Sequence, residues 1–438
     1  MRDIVLALFI FGTIPFILSR PYIGLLVWSW LGYMNPHRLC YGFAYGFPWV
    51  MMIAVLTLMS FAVSKERKKI PMSAVSVLLF AFLAWTGITT LFAVEPAFAP
   101  EKFQEFAKIM VMVFVTLMMV NTRERIHMLV WVIAVSLGFY GLKGGVFTVL
   151  GGGVSHVLGP SASFIGDNNA MALALCMTLP LMRYLHLHAS GKWIRAGLAV
   201  MMVFTGIAVL GTYSRGGLIG LIIVAGALFL KSRRRLVVVS AVAVVGLTAY
   251  HFMPPEWTAR MQTLQDPTEQ NSAETRMQSW EFATNVAIHR PLVGGGFEVY
   301  RSTPLWQRYG PEGAKARAIH SIYFRVLGEQ GFLGLALFLG VLFASWRSCS
   351  RVRKLAKVDP ALRWAFDLAS MLQVSLVAFV TAGAFLPMPY FDLVWQLMAL
   401  SVLLVGCVSQ AASDPLSENQ RTLAAASPIP DPKTPRAI

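Results

Sequence analysis

The chain has 438 residues, of which 56% are hydrophobic and 13% charged, and its formal net charge is +16. Soluble domains run nearer about 45–50% apolar and about 25% charged, so a soluble globular class is excluded. The positive charge sits in short clusters between apolar runs rather than in one patch, which argues against a nucleic-acid partner and for inner loops that obey the positive-inside rule.

The apolar runs are each about 17–25 residues long, enough to cross a ~30 Å hydrocarbon layer as helices. Runs such as VLLFAFLAWTGITTLF lack the alternation of a barrel strand. The expected fold class is all-α: a polytopic membrane protein of about twelve transmembrane helices. MRDIVLALFIFGTIPFILSRPY lacks a small-residue cleavage pattern and reads as a retained first helix. Residues 3–34 form either one span plus a re-entrant piece or two short spans divided at Ser19-Arg20-Pro21. Spans at 46–63 and 73–93 flank SKERKKIP, and those at 105–120 and 127–150 flank NTRERIH. Those at 169–185 and 194–212 flank a loop with His186, His188, Lys192 and Arg195, and those at 216–230 and 236–252 flank KSRRR.

After a polar segment come spans at 319–345, 366–386 and 390–408, with a basic loop before 366. All the basic loops then fall on one side, the cytoplasmic one, with the N-terminus there for twelve spans and outside for thirteen. This divides the chain into an N-terminal bundle (1–252), an outer helical segment (253–318), C-terminal spans (319–410) and a disordered cytoplasmic tail (411–438) rich in Ala, Ser and Pro.

The segment from Met253 to Ala318 holds seven Lys/Arg and seven Asp/Glu. Its balanced charge means that its arginines are not topology signals. Within it, Met277, Trp280, Phe282, Ala283, Val286 and Ala287 have the spacing of an amphipathic helix lying on the membrane surface. Pro291 and Gly294 to Gly296 end that helix in a loop.

Several residues on the outer side carry potential chemistry. Arg215, in GTYSRGGLIGL, lies at a span boundary, where an arginine either snorkels to lipid phosphate or grips a phosphate-bearing substrate. Arg276 lies on the amphipathic helix. Arg290, Arg301, Arg308 and Arg317 read first as surface charge. His320 opens the next span at the water boundary, on the same side, and is able to act as a general base when neutral. Arg325 and Glu329, at i,i+4, read first as a buried ion pair. Gly328, Gly331 and Gly334 suggest a small-residue packing face. Lys143 is an ionisable residue inside a span, and so a functional candidate by position. Asp167, Asn168 and Asn169 open a helix and read as its cap.

Cys40, Cys176, Cys349 and Cys407 show neither disulfide nor zinc-ligand spacing. No nucleotide-binding or metalloprotease motif is present. No metal and no cofactor is therefore expected.

The order of spans, SRGGLIGL, then TRMQSW and RPLVGGGF in the polar segment, then HSIYFRVLGEQGFLG, resembles the O-antigen ligase/polymerase superfamily over about residues 195–345. SRPYIGLLVWSWLGYMNPHR, YGLKGG and FIGDNNAMAL resemble the exosortase-associated O-glycosylation ligases. The resemblance implies a GT-C-like, lipid-dependent glycosyltransferase of the bacterial inner membrane. It would take a glycan from an undecaprenyl-diphosphate carrier to a sugar hydroxyl of lipid A–core at the periplasmic face, without metal, with membrane lipids around it. It also implies Arg215, Arg276 and His320 as catalytic residues, with Lys143, Asn169, Arg290, Tyr213 and Arg325 as substrate-binding candidates. The other readings are an O-antigen polymerase or a protein O-oligosaccharyltransferase with the same donor, and a lipid or glycan transporter using Lys143, Arg325 and Glu329.

Overall fold

The computed structural model describes all residues except Arg67, Arg233, Arg234, Met253, Glu256, 258–269 and 413–438. Part of the basic KSRRR loop, the start of the polar segment and the expected tail lie outside the described residues. Among those described, the regular structure is helical throughout.

The first half contains α1 (Arg2–Ser19), α2 (Pro21–Met34), the short α3 (Phe43–Gly46), α4 (Trp49–Val63), α5 (Ala74–Leu91) and α6 (Ala99–Met119). It continues with α7 (Arg123–Leu150), α8 (Asn168–His188), α9 (Lys192–Gly211), α10 (Arg215–Lys231) and α11 (Arg235–Phe252). Then follow α12 (Gln270–His289), the short α13 (Thr303–Tyr309), α14 (Ile322–Leu355), α15 (Arg363–Ala382) and α16 (Asp392–Ala412). Eight of these are long and apolar enough to cross a bilayer, and Trp49–Val63 and Arg235–His251 are shorter apolar helices. The protein is an all-α, multi-pass membrane protein.

Local chemistry sets the helix boundaries. Pro21, which has no N–H to donate, takes the first position of α2, so residues 3–34 divide into two helices after Ser19. Ser73, Thr122, Asp167 and Ser214 each accept a backbone N–H in the first turn of α5, α7, α8 and α10. The central helix is α8, buried nearly all round and packed by α7, α9, α10 and α15.

The basic connections meet at one end of the bundle. Arg125 grips Glu66 with two 2.9 Å hydrogen bonds, which joins the 64–73 connection to α7. His188 Nε2 lies 3.1 Å from Asp367 Oδ2, and Arg123 lies over the Trp364 ring. The other end gathers the 35–45, 92–98 and 151–167 connections, the α9–α10 junction and the polar segment.

The structure corrects two expectations. The apolar face of α12 does not lie free on a membrane surface. Phe282, Ala283 and Val286 are buried with Val299, Trp306 and Ile319 in a small second core, where Phe282 stacks on Trp306 at 4.2 Å. A periodic apolar face is the same signal whether lipid or protein covers it.

The second correction concerns Gly331, which packs closely on the Pro291–Leu292 backbone but also breaks the helix. Its φ/ψ of 71°/−174° interrupts α14, in a region of backbone space essentially restricted to glycine. The freed groups find partners in the RPLVGGGF loop. Gly295 N–H donates to Gly328 O at 2.8 Å, Gly296 N–H to Glu329 O at 2.8 Å, and Phe332 N–H to Pro291 O at 2.9 Å. Trp85 Nε1 donates to Gln330 O at 3.0 Å. Irregular backbone inside a spanning helix is tolerated where protein supplies such partners. Residues 294–299 of the polar segment are consequently buried in the bundle as a plug. Gly328 and Gly334 do serve close packing, against Ala283 and Trp85.

Candidate active site at the helix N-termini

Three helices begin close together at the end opposite the basic loops. Asp167 Oδ1 accepts the Asn169 and Ala170 N–H groups at 2.9 and 3.1 Å, so its side chain caps α8. Ser214 Oγ accepts Gly217 N–H at 3.1 Å and donates to Asn169 Oδ1 at 2.8 Å. Asn168 Nδ2 donates to Thr212 O at 2.9 Å. The start of α8 is thereby tied to the start of α10, where Arg215 is the first helical residue. The glycines after Arg215 serve helix packing: a Cβ on Gly217 would stand 2.5 Å from the Ala172 Cβ, and one on Gly220 3.2 Å from the Ala382 Cβ.

Arg276 lies in the second turn of α12 and His320 just before α14. Trp280, one turn after Arg276, joins the two elements. Its Nε1 donates to His320 O at 3.4 Å, and its ring stacks on Phe324 at 5.0 Å with 9° between planes.

Burial, and then the nearby guanidinium of Arg215, hold the Arg276 pKa below its ordinary value. His320 is partly buried. Burial first, then the charges of Arg276 and Arg325, lower its pKa from 6.5, while Asp167 opposes them. The imidazole is therefore neutral at pH 7, and no hydrogen bond occupies it among the described residues. Arg215, Arg276 and His320 thus converge, in a region whose two arginines and neighbouring helix N-termini favour an anion.

The substrate-binding candidates separate into different environments. Asn169 belongs to the cluster, where it fastens α8 to α10. Tyr213 is buried beside it, with φ of 57°. Its hydroxyl donates to Gly153 O at 2.5 Å and its ring packs on His156 at 4.5 Å, which places it in the turn that presents Arg215. Arg290 is a backbone staple, with Nε donating to Gly294 O and Nη2 to Phe92 O, both at 2.5 Å. Lys143 lies exposed on α7, between the exposed Phe139 and Phe147, and no described contact joins it to the cluster.

Arg325 belongs to a buried network that the sequence shows only in part. Nε donates to Glu329 Oε1 at 3.0 Å, Nη2 to Glu298 Oε1 at 2.7 Å and Nη1 to Pro387 O at 2.8 Å. Tyr390 donates to Glu329 Oε2 at 2.8 Å, and Tyr300 and Arg301 donate to Glu298 Oε2 at 2.6 and 2.7 Å. Burial pushes the Glu298 carboxyl up, yet Arg325, Tyr300 and Arg301 outweigh it and hold its pKa below the usual value. The network locks the plug, α14 and the α15–α16 loop together beneath His320.

Sequence reasoning missed Glu298, Tyr390 and the linking role of Trp280. Glu298 stands in a glycine-rich loop and Tyr390 in a turn, and neither carries a local signal for burial against an arginine far along the chain.

Residues 1–190 match a family of unknown function, DUF5935, and residues 200–339 match the family described as O-Antigen ligase. No curated protein matches the chain significantly. The second match begins before Arg215 and runs through Arg276 and His320. Residues 200–339 therefore form an O-antigen ligase family domain, which supports a place in the O-antigen ligase superfamily of glycosyltransferase-like membrane proteins.

Proposed function

We propose that the protein is an O-antigen ligase of the bacterial inner membrane, working at its periplasmic face. It moves a glycan from undecaprenyl diphosphate to a sugar hydroxyl of lipid A–core. The observation that carries this reading is the meeting of Arg215, Arg276 and a neutral His320 at one end of the bundle, opposite the basic loops. The basic loops mark the cytoplasmic end, which leaves the cluster on the periplasmic one.

The acceptor hydroxyl oxygen attacks the anomeric carbon while the bond from that carbon to the phosphate oxygen breaks. The bonding pair leaves with undecaprenyl diphosphate. Arg215 and Arg276 stabilise the charge that grows there through charge-assisted hydrogen bonds. His320 takes the hydroxyl proton as general base. One displacement inverts the anomeric centre.

The test supplies the purified protein, in lipid, with lipid-linked glycan and three acceptors in parallel: lipid A–core, repeat unit on its carrier, and candidate protein. Glycan on lipid A–core is expected. Glycan only on the carrier or on protein would make the chain a polymerase or a protein O-oligosaccharyltransferase. Lipid flipping with no product on any acceptor would make it a transporter. His320→Ala and Arg215→Ala are expected to abolish transfer while inserting normally. Wild-type rates in either variant would remove that residue from the mechanism, and a product of retained configuration would remove the single displacement.

A further inference from the structure

A cavity of about 160 Å³ opens at the basic end of the bundle, where the 64–73 connection meets the ends of α6 and α16. Leu117 and Leu403 are buried in its wall and Gly406 is half-buried there, while Lys69, Asn121 and Gln410 are exposed at its rim. Gly406 keeps the space open, since a Cβ built on it meets nothing within 4 Å. On one side Cys407 Sγ donates to Asn121 O at 3.7 Å, which holds α16 to the α6–α7 connection. The connections beside the cavity, 64–72 and 121–125, carry six basic residues against Glu66 and Glu124. Glu66 is taken up by Arg125, and Lys68 donates to Ala62 O at 2.5 Å. Lys69 has no hydrogen bond or ion pair among the described residues.

We propose that this cavity binds one anionic phospholipid of the cytoplasmic leaflet, with an acyl chain against Leu117, Leu403 and Gly406 and its phosphate at Lys69. An apolar cavity of about this size stays dry and takes up a small hydrocarbon. The hydrocarbon at hand here is the lipid around the bundle. The positive-inside rule accounts for basic loops in general, but it does not require a lysine on the rim of an apolar cavity. Basic pockets between spanning helices on the cytoplasmic side are suited to anionic head groups. A lipid seated in this way fastens the 64–73 connection to the ends of α6 and α16. The inference takes the basic end as cytoplasmic. It concerns the end opposite Arg215, Arg276 and His320, and stands whether or not His320 is the general base.

The full chain in detergent is titrated with phosphatidylglycerol, with phosphatidylcholine of the same chains, and with glycerol 3-phosphate, a head group without chains. Native mass spectrometry counts the molecules retained, and thermal melting is followed alongside. Wild type is expected to retain one phosphatidylglycerol in preference to phosphatidylcholine and to melt higher with it. Lys69→Gln is expected to weaken phosphatidylglycerol about fivefold, the effect of one lysine at a membrane surface. Lys65→Gln, an equal loss of charge from the same connection but off the cavity, is expected to leave it unchanged. Gly406→Leu, whose Cβ enters open space, is expected to lose most of the binding while melting like wild type in phosphatidylcholine. Equal retention of the two lipids by wild type would overturn the proposal. Equal weakening by Lys65→Gln and Lys69→Gln would reduce the effect to the diffuse charge of the loop and overturn it too. Glycerol 3-phosphate binding as tightly as phosphatidylglycerol would make this a phosphate site and not a lipid site. Should Gly406→Leu fail to fold, wild-type affinity in Lys69→Gln would still refute the assignment.

Discussion

Replacing Gly331 by alanine tests whether the break in α14 and the plug beneath it form one unit. A Cβ at this position would stand 2.2 Å from Leu292 O and 2.6 Å from its carbonyl carbon, so backbone rather than a flexible side chain must yield. Forcing alanine into the observed φ/ψ costs about 1–3 kcal/mol. If the chain instead continues as regular helix, the four hydrogen bonds around the break are lost, each contributing about 1 kcal/mol. By either route the cost is roughly 1–4 kcal/mol, a large share of the stability of a typical domain.

Gly340→Ala in the same helix is the control. Its Cβ would meet Leu78 methyl carbons at 3.6 and 3.7 Å, ordinary contacts, and alanine favours a helix by about 1 kcal/mol over glycine. In thermal melts of detergent-solubilised protein, Gly331→Ala is expected to lose on the order of 10 °C and most of its transfer activity. Gly340→Ala is expected to melt at or slightly above the wild-type temperature. A Gly331→Ala variant that melts and transfers like wild type would refute the coupling between break and plug.

The buried network predicts a non-additive series. Arg325→Met leaves Glu329 buried without a cation and Glu298 with Arg301 alone, and is expected to cost about 3–5 kcal/mol; adding Glu298→Gln and Glu329→Gln is expected to recover much of that in the same melts, and a triple variant no better than the single one counts against the pairing. Trp280→Leu removes the stack on Phe324 and the donor to His320 O, so kcat is expected to fall roughly tenfold with donor binding retained; an unchanged kcat would mean that Trp280 does not hold His320 in place. The depressed pKa of His320 fixes the sign of the pH response. The base is neutral and competent above its pKa, so the rate is expected to hold as pH falls from 8 to 6.5 and to decline only below that. A decline centred above pH 6.5 would contradict the burial and arginine charges around the ring.

The helices were legible in the sequence because a spanning helix must satisfy its own backbone and show lipid an apolar run. The division after Ser19 was legible for a similarly local reason, a proline at the first position of a helix. Gly331 was not. A glycine three residues from two others reads as a packing face, and its partners at Pro291, Gly295 and Gly296 lie about forty residues earlier in the chain. Arg215, Arg276 and His320 were legible as candidates because charged residues at membrane boundaries are costly, and as a set only through the family resemblance. Arg290 carries the same side chain at a similar boundary, yet it is taken up by two carbonyls.

The Asn169–Ser214 bridge bears on how far the two matched stretches can be treated as separate parts. One of its partners lies in the stretch of unknown function and the other in the O-Antigen ligase stretch. At the far boundary, Arg325 reaches past residue 339 to the Pro387 carbonyl, and Glu329 to Tyr390. A fragment cut at 200 and 339 would therefore keep all three catalytic candidates and lose the anchors on either side of them. A chimera that exchanged this stretch with that of another chain would need compatible groups at 169, 387 and 390. The recognisable segment and the unit that can fold and work are different lengths of chain.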